Sequence, residues 1–196
     1  MPFAYYAWDG RAIGRFLRDV GLRHLTIGIT SARMSLDTTD HALKVMLSEA
    51  RMAGSVFLKQ FGAVRPFGMF LTVDGDTDLT DDVSDDASAT YDDVMERVRL
   101  QLMDRAMSGG LVAVALLTEV YTAKGDLGLA IQIQTRLSTG LYIQRAVGQG
   151  DDLVLEEAEA ASSLLMPDGL CFSALESVPE DANHPILRRS AAPSSA

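Results

Sequence analysis

The chain has 196 residues and a formal net charge of −10, from 17 Lys plus Arg against 27 Asp plus Glu. Hydrophobic residues make up 47% and charged residues 22%, ordinary for a globular protein, and a chain of this length buries roughly 70% of its unfolded surface without a disulfide or metal staple. The acidic balance opposes nucleic-acid phosphates and anionic membrane surfaces, and no apolar run reaches the ~18 residues of a membrane-spanning helix.

Residues 1–33 read as an N-terminal arm. Five arginines and two acids give it +3, so the rest of the chain carries the balance of −13. Ile13, Phe16, Leu17 and Val20 are spaced as one face of a helix. That face is either a docking helix for a partner or a helix packed on its own domain, and Met34 is an alternative start. The arm lacks the charged, apolar and cleavage regions of a secretory signal. Cys171 is the sole cysteine, so no intrachain disulfide is possible. Both point to a reducing, cytoplasmic setting.

A single domain is expected over residues 34–175. Helix one runs from about Thr39 to Phe61, with Leu43, Met46, Leu47, Ala50, Gly54, Phe57 and Phe61 on one face and Gly62 as terminator. Pro66 then forces extended backbone. Met69, Leu71 and Val73 alternate with Phe70 and Thr72 as a strand, and Asp74-Gly75 turns into a short return strand near Thr77–Thr80. After a polar loop, a second helix spans about Ser88–Met107, acidic at its start and basic at its end, which suits the helix dipole.

Leu111–Thr122 is nearly continuously apolar and reads as a central strand covered on both faces. Two more strands complete an antiparallel meander. One carries Leu129, Ile131 and Ile133 opposite Gln132, Gln134 and Arg136. The next carries Leu141, Ile143, Arg145 and Val147 opposite Tyr142 and Gln144. Residues 152–165 are helix-prone, Leu170–Leu175 reads as a last strand, and the Ser, Pro and Ala content from Glu176 onward predicts a disordered tail over 176–196.

The order helix-strand-strand-helix-strand-strand-strand-helix predicts an α+β fold, a sheet of about five antiparallel strands with helices packed on it. In element order it resembles the roadblock/profilin-like and longin-like domains, which implies a dimeric scaffold, a regulator of small GTPases or a sensor. A second resemblance rests on Phe61-Gly62, Arg65-Pro66-Phe67-Gly68 and Asp74-Gly75. This F-G-x-x-x-P-F-G and D-G pattern over about residues 40–147 is similar to that of small uncharacterised bacterial α+β proteins, and it implies no activity.

Signals for chemistry are sparse. Asp74, Asp76 and Asp78 occupy the first three ligand positions of a calcium loop. Leu79, however, stands where the loop needs glycine, and Asp85 stands where it needs glutamate. A tight hairpin with a solvated acidic loop is the simpler reading. His24, His41 and His184 share no metal-ligand spacing. Cys171 lies between Leu170 and Phe172, as a small buried hydrophobe does. Glu156, Glu157 and Glu159 are consecutive acids on one predicted helix rather than a pair facing across a cleft. No nucleophile elbow, phosphate loop or dinucleotide fingerprint is present, so no catalytic residue and no cofactor is assigned.

The function expected on these grounds is a non-catalytic protein–protein interaction or regulatory module, a homodimer, with an immunity-type protein meeting a basic partner as a variant. Its partner surface would use Phe16, Gln132, Gln134 and Tyr142. The alternative is a small-molecule sensor with a pocket lined by Phe67, Phe70 and Tyr91. An enzyme built on unrecognised acids comes last.

Overall fold

In a computed structural model, the structure describes residues 38–80, 89–122, 125–158, 165–166, 169–171, 175–179, 181 and 183–191. The expected arm, including Phe16, and the acidic loop that holds Asp85 lie outside these residues. So does Glu159.

Helix α1 spans Thr38–Phe61. Its apolar line buries Ala42, Val45, Met46, Ala50, Ala53, Phe57 and Leu58. Gly54 lets the helix lie close on the sheet: a Cβ there would collide with the Leu129 side chain. Strand β1 (Phe67–Thr72) and strand β2 (Thr77–Leu79) form the expected hairpin. Helix α2 spans Tyr91–Met107. Thr90 caps it in a reciprocal box with Asp93: Asp93 N donates to Thr90 Oγ1 at 3.2 Å and Thr90 N donates to Asp93 Oδ2 at 3.0 Å. Such caps contribute about 1 kcal/mol, and this one sets the helix start three residues later than composition suggests.

Strands β3 (Leu111–Tyr121), β4 (Leu127–Thr135) and β5 (Thr139–Val147) form the meander. A 3-10 turn at Gly150–Asp152 leads into β6, Val154–Glu157. Here the structure corrects the expected helix over 152–165 in its first half, residues 152–158; residues 159–164 lie outside the described residues. The i, i+4 spacing of Val154 and Ala158 suits a helix, but this stretch has an unpaired strand beside it. Pairing with β5 satisfies the inward-facing half of its backbone and tucks Leu155 against the core. The sheet is therefore six-stranded, antiparallel throughout, in the order β2-β1-β3-β4-β5-β6. The α+β class stands, with one strand more than expected.

The sheet separates two cores. One face of β1, β3 and β4 presents Met69, Leu71, Ala113, Ala115, Leu117, Leu129, Ile131 and Ile133 to α1. The other face presents Val114 and Leu116 to α2, whose Met95, Val98, Leu102 and Ala106 cover them. Strand β3 is buried from Leu111 to Thr118 because it is covered on both faces.

The C-terminal part closes both cores, and its described residues beyond 175 pack on the domain where a disordered tail was expected. Leu170, Cys171 and Leu175 belong to the α2 core, and Val178 and Ile186 to the α1 core. Helix α3, Pro185–Ala191, packs on α1. Pro185 is its first residue, a position where a missing N–H costs nothing. Leu170 and Cys171 form no regular strand.

Candidate functional site

The tail is held to the body by polar contacts at each stage of its path. Gln132 is fully buried. Its Nε2 donates to the Met166 carbonyl at 2.9 Å and its Oε1 accepts the Met166 N–H at 2.8 Å. Two residues along β4, Gln134 Nε2 donates to the Cys171 carbonyl at 2.9 Å, while its Oε1 accepts from Leu170 N at 2.7 Å and Cys171 N at 3.2 Å. The two amides stand in for a neighbouring strand. At the end of the sheet, Glu176 N donates to the Leu111 carbonyl at 2.7 Å and Glu176 Oε1 accepts from Gly110 N at 2.6 Å. On the far face, Arg189 pairs with Glu49 and donates to the Gly75 carbonyl at 2.5 Å.

His41 Nδ1 and the Ser190 hydroxyl are hydrogen-bonded between α1 and α3. A serine beside a histidine is where nucleophilic catalysis begins. Here the hydroxyl also faces the Leu187 carbonyl at 3.1 Å, in its own helix, so we read the pair as a helix-to-helix tether.

These contacts redefine the residues expected to form a partner surface. Gln132 and Gln134 are spent on the chain's own backbone. Tyr142 lies on the opposite face, since it pairs with Ile131 while Gln132 pairs with Leu141, and it packs half-buried against the α1 core. The expected pocket is divided in the same way. Phe67 and Phe70 are three residues apart on one strand, so they point to opposite faces. Phe67 packs on Phe57, with ring centroids 4.7 Å apart. Phe70 joins the α2 core beneath the Arg105 guanidinium, 5.1 Å from the ring centroid. Tyr91 stands at the start of α2, donating to the Glu119 carbonyl at 3.3 Å. Partial burial, then the Glu119 and Asp92 carboxylates, push its hydroxyl from 10.0 up to about 12.

Asp74, Asp76 and Asp78 are all exposed at the β1–β2 hairpin. Asp78 Oδ1 accepts from Leu79 N at 2.9 Å. Among the described residues no group of three or more His, Cys, Asp or Glu side chains is placed to hold a metal ion. Glu156 faces Arg145 at 2.7 Å across β5 and β6. His184 accepts from Ile186 N at the start of α3, and Cys171 is buried.

Both sheet edges carry a stop. The Ala158 N to Ile143 O bond sets the β5–β6 alternation, which turns the N–H and C=O of Leu155 outward. Arg51 Nη2 reaches round from α1 and donates to that Leu155 carbonyl at 3.0 Å. On β2 the Thr80 N to Gly68 O bond likewise turns Leu79 outward, and the Asp78 carboxylate takes its N–H. Occupying edge groups is how sheets avoid adding foreign strands.

Among the described residues, exposed apolar side chains line up along one helix face on α2. Besides its buried line, the helix carries Leu100, Met103 and Met107 at i, i+3 and i+7. Leu100 is 45% and Met107 62% exposed, and Met103 is half-buried at the margin of the core. Leu165 and Met166 pack half-buried on that same core. Sequence reasoning missed this stripe because it sought one apolar face per helix, although the spacing was visible. Among the described residues no helix is long and apolar enough to cross a membrane. Comparison with known proteins found no matching family model, no matching curated protein and no matching solved structure.

Proposed function

We propose that the chain is a non-catalytic protein–protein interaction module of a regulatory or scaffolding kind, working in the cytoplasm, with the outer face of α2 as its docking surface. The observation that carries this reading is the second apolar stripe, Leu100, Met103 and Met107, on a helix whose core-facing line is already complete. A surface helix of a globular protein normally has one such stripe. Exposed apolar side chains in a row mark contact surfaces, and methionine adapts to varied partners. The stopped sheet edges favour a helix face over strand addition. A photo-crosslinking residue at Leu100 or Met107 should give one dominant protein adduct in cells, and the same residue at exposed Gln149 should give none. Equal labelling at all three positions would sink the assignment.

A second reading rests on charge. A net charge of −10 steers basic partners and repels nucleic acid, as an immunity-type protein would require. Association with a basic protein that slows sharply with added salt supports that variant. The sensor reading draws no support from Phe67 and Phe70, which the sheet separates.

A further inference from the structure

The outer stripe of α2 is self-complementary. At 3.6 residues per turn, Leu100, Met103 and Met107 lie on one line, turned away from the buried line of Met95, Val98, Leu102 and Ala106. Arg97 and Asp104 are two turns apart, so they flank the stripe on the same side. We propose that this face closes a twofold homodimer, in which α2 of one copy lies antiparallel on α2 of a second copy. The proposal rests on α2 being the docking surface and goes further by naming the occupant.

Two physical features select this occupant and direction. With the twofold axis between Leu100 and Met103, Leu100 of each copy packs on Met103 of the other. Met107 then lies along the side chains of the Glu96–Arg99 ion pair, whose 2.5 Å contact already neutralises both groups. The same axis brings Arg97 of each copy beside Asp104 of the other, twice by symmetry. A parallel arrangement would carry this flank of the two copies to opposite sides of the interface, so Arg97 of one copy would not meet Asp104 of the other. Antiparallel helices also oppose their dipoles favourably. Interfaces below ~1,200 Å² are transient, so a helix-pair dimer should exchange in the micromolar range.

Sedimentation velocity of the full chain, from sub-micromolar to high-micromolar concentration, tests this. The expected result is a reversible monomer–dimer equilibrium. Leu100→Glu and Met107→Glu, both at exposed positions, should each weaken it about tenfold or more while leaving the melting temperature near that of wild type. Asp104→Arg should also weaken it, and adding Arg97→Asp should restore it, which a parallel pairing or a different face would not produce. A chain that stays monomeric throughout overturns the proposal, as does a dimer indifferent to Leu100→Glu and Met107→Glu. A monomer that still crosslinks another protein through Leu100 overturns the homodimer and leaves the docking reading standing.

Discussion

Gln132 grips both backbone groups of Met166, donating to its carbonyl at 2.9 Å and accepting its N–H at 2.8 Å. A side chain here does the work of a seventh strand. Because Gln132 is fully buried, its amide cannot turn to water instead. Gln132→Leu keeps the volume but takes the partner from both backbone groups of Met166, each costing about 1–3 kcal/mol where water does not reach it. We expect a loss of about 3 kcal/mol in urea unfolding. A variant within about 0.5 kcal/mol of wild type, the usual range of surface changes, would show that the segment needs no such clamp.

Gly75 and Gly125 form a matched pair for measuring how firmly α3 is seated. Both have positive φ, +89° and +83°, so alanine costs about 1–2 kcal/mol of backbone strain at either site. Only at Gly75 does the new Cβ meet α3, 2.8 Å from Pro185 Cβ, whereas nothing lies within 4 Å of it at Gly125. Gly75→Ala should therefore destabilise more than Gly125→Ala, and the excess reports the α3 contact. Equal losses in chemical denaturation would mean that α3 yields freely.

Alkaline titration should single out Tyr91. The unfolded phenol loses its proton near 10.0 and the folded one near about 12. The native state thus holds the proton through that window, and its preference, fully present below pH 10, is lost as pH rises through about 12. Tyr91→Phe should flatten this part of the stability profile. The ultraviolet difference between wild type and Tyr91→Phe should show one phenol ionising near about 12; an ordinary midpoint would contradict the structure.

Arg51→Ala should free the outward carbonyl of Leu155, and Asp78→Ala the outward N–H of Leu79. Each should leave stability within about 1 kcal/mol yet speed aggregation under agitation, followed by light scattering. Unchanged aggregation in both variants would remove the guarding role of these side chains.

Much of the sheet was legible because its signals are local. The unbroken apolar run places β3, period-two alternation places β4 and β5, and Asp74-Gly75 places the first hairpin. The two phenylalanines of β1 are also separable by parity, since residues three apart on a strand never share a face. The features that escaped depend on distant partners. Val154 and Ala158 suit a helix until β5 offers hydrogen bonds. Val178 and Ile186 stand out in a Ser, Pro and Ala background only once a core needs them. Gln132 and Gln134 read as part of a partner surface, yet each lies beside a buried residue of β3, Leu116 and Val114. Amides set next to a fully apolar strand are the signal that they serve something internal.

The path of the C-terminal part also bears on how the protein is made. Every described strand leaves the ribosome before Leu170, Leu175, Val178 and Ile186 do, yet those four residues complete both cores. Until they arrive, the nascent sheet shows unfilled apolar surface on each side, the condition that chaperones recognise. Folding that proceeds from the N-terminus cannot finish either layer early. Stalled synthesis past β6 would therefore yield a chain open on two faces at once, not a smaller stable domain.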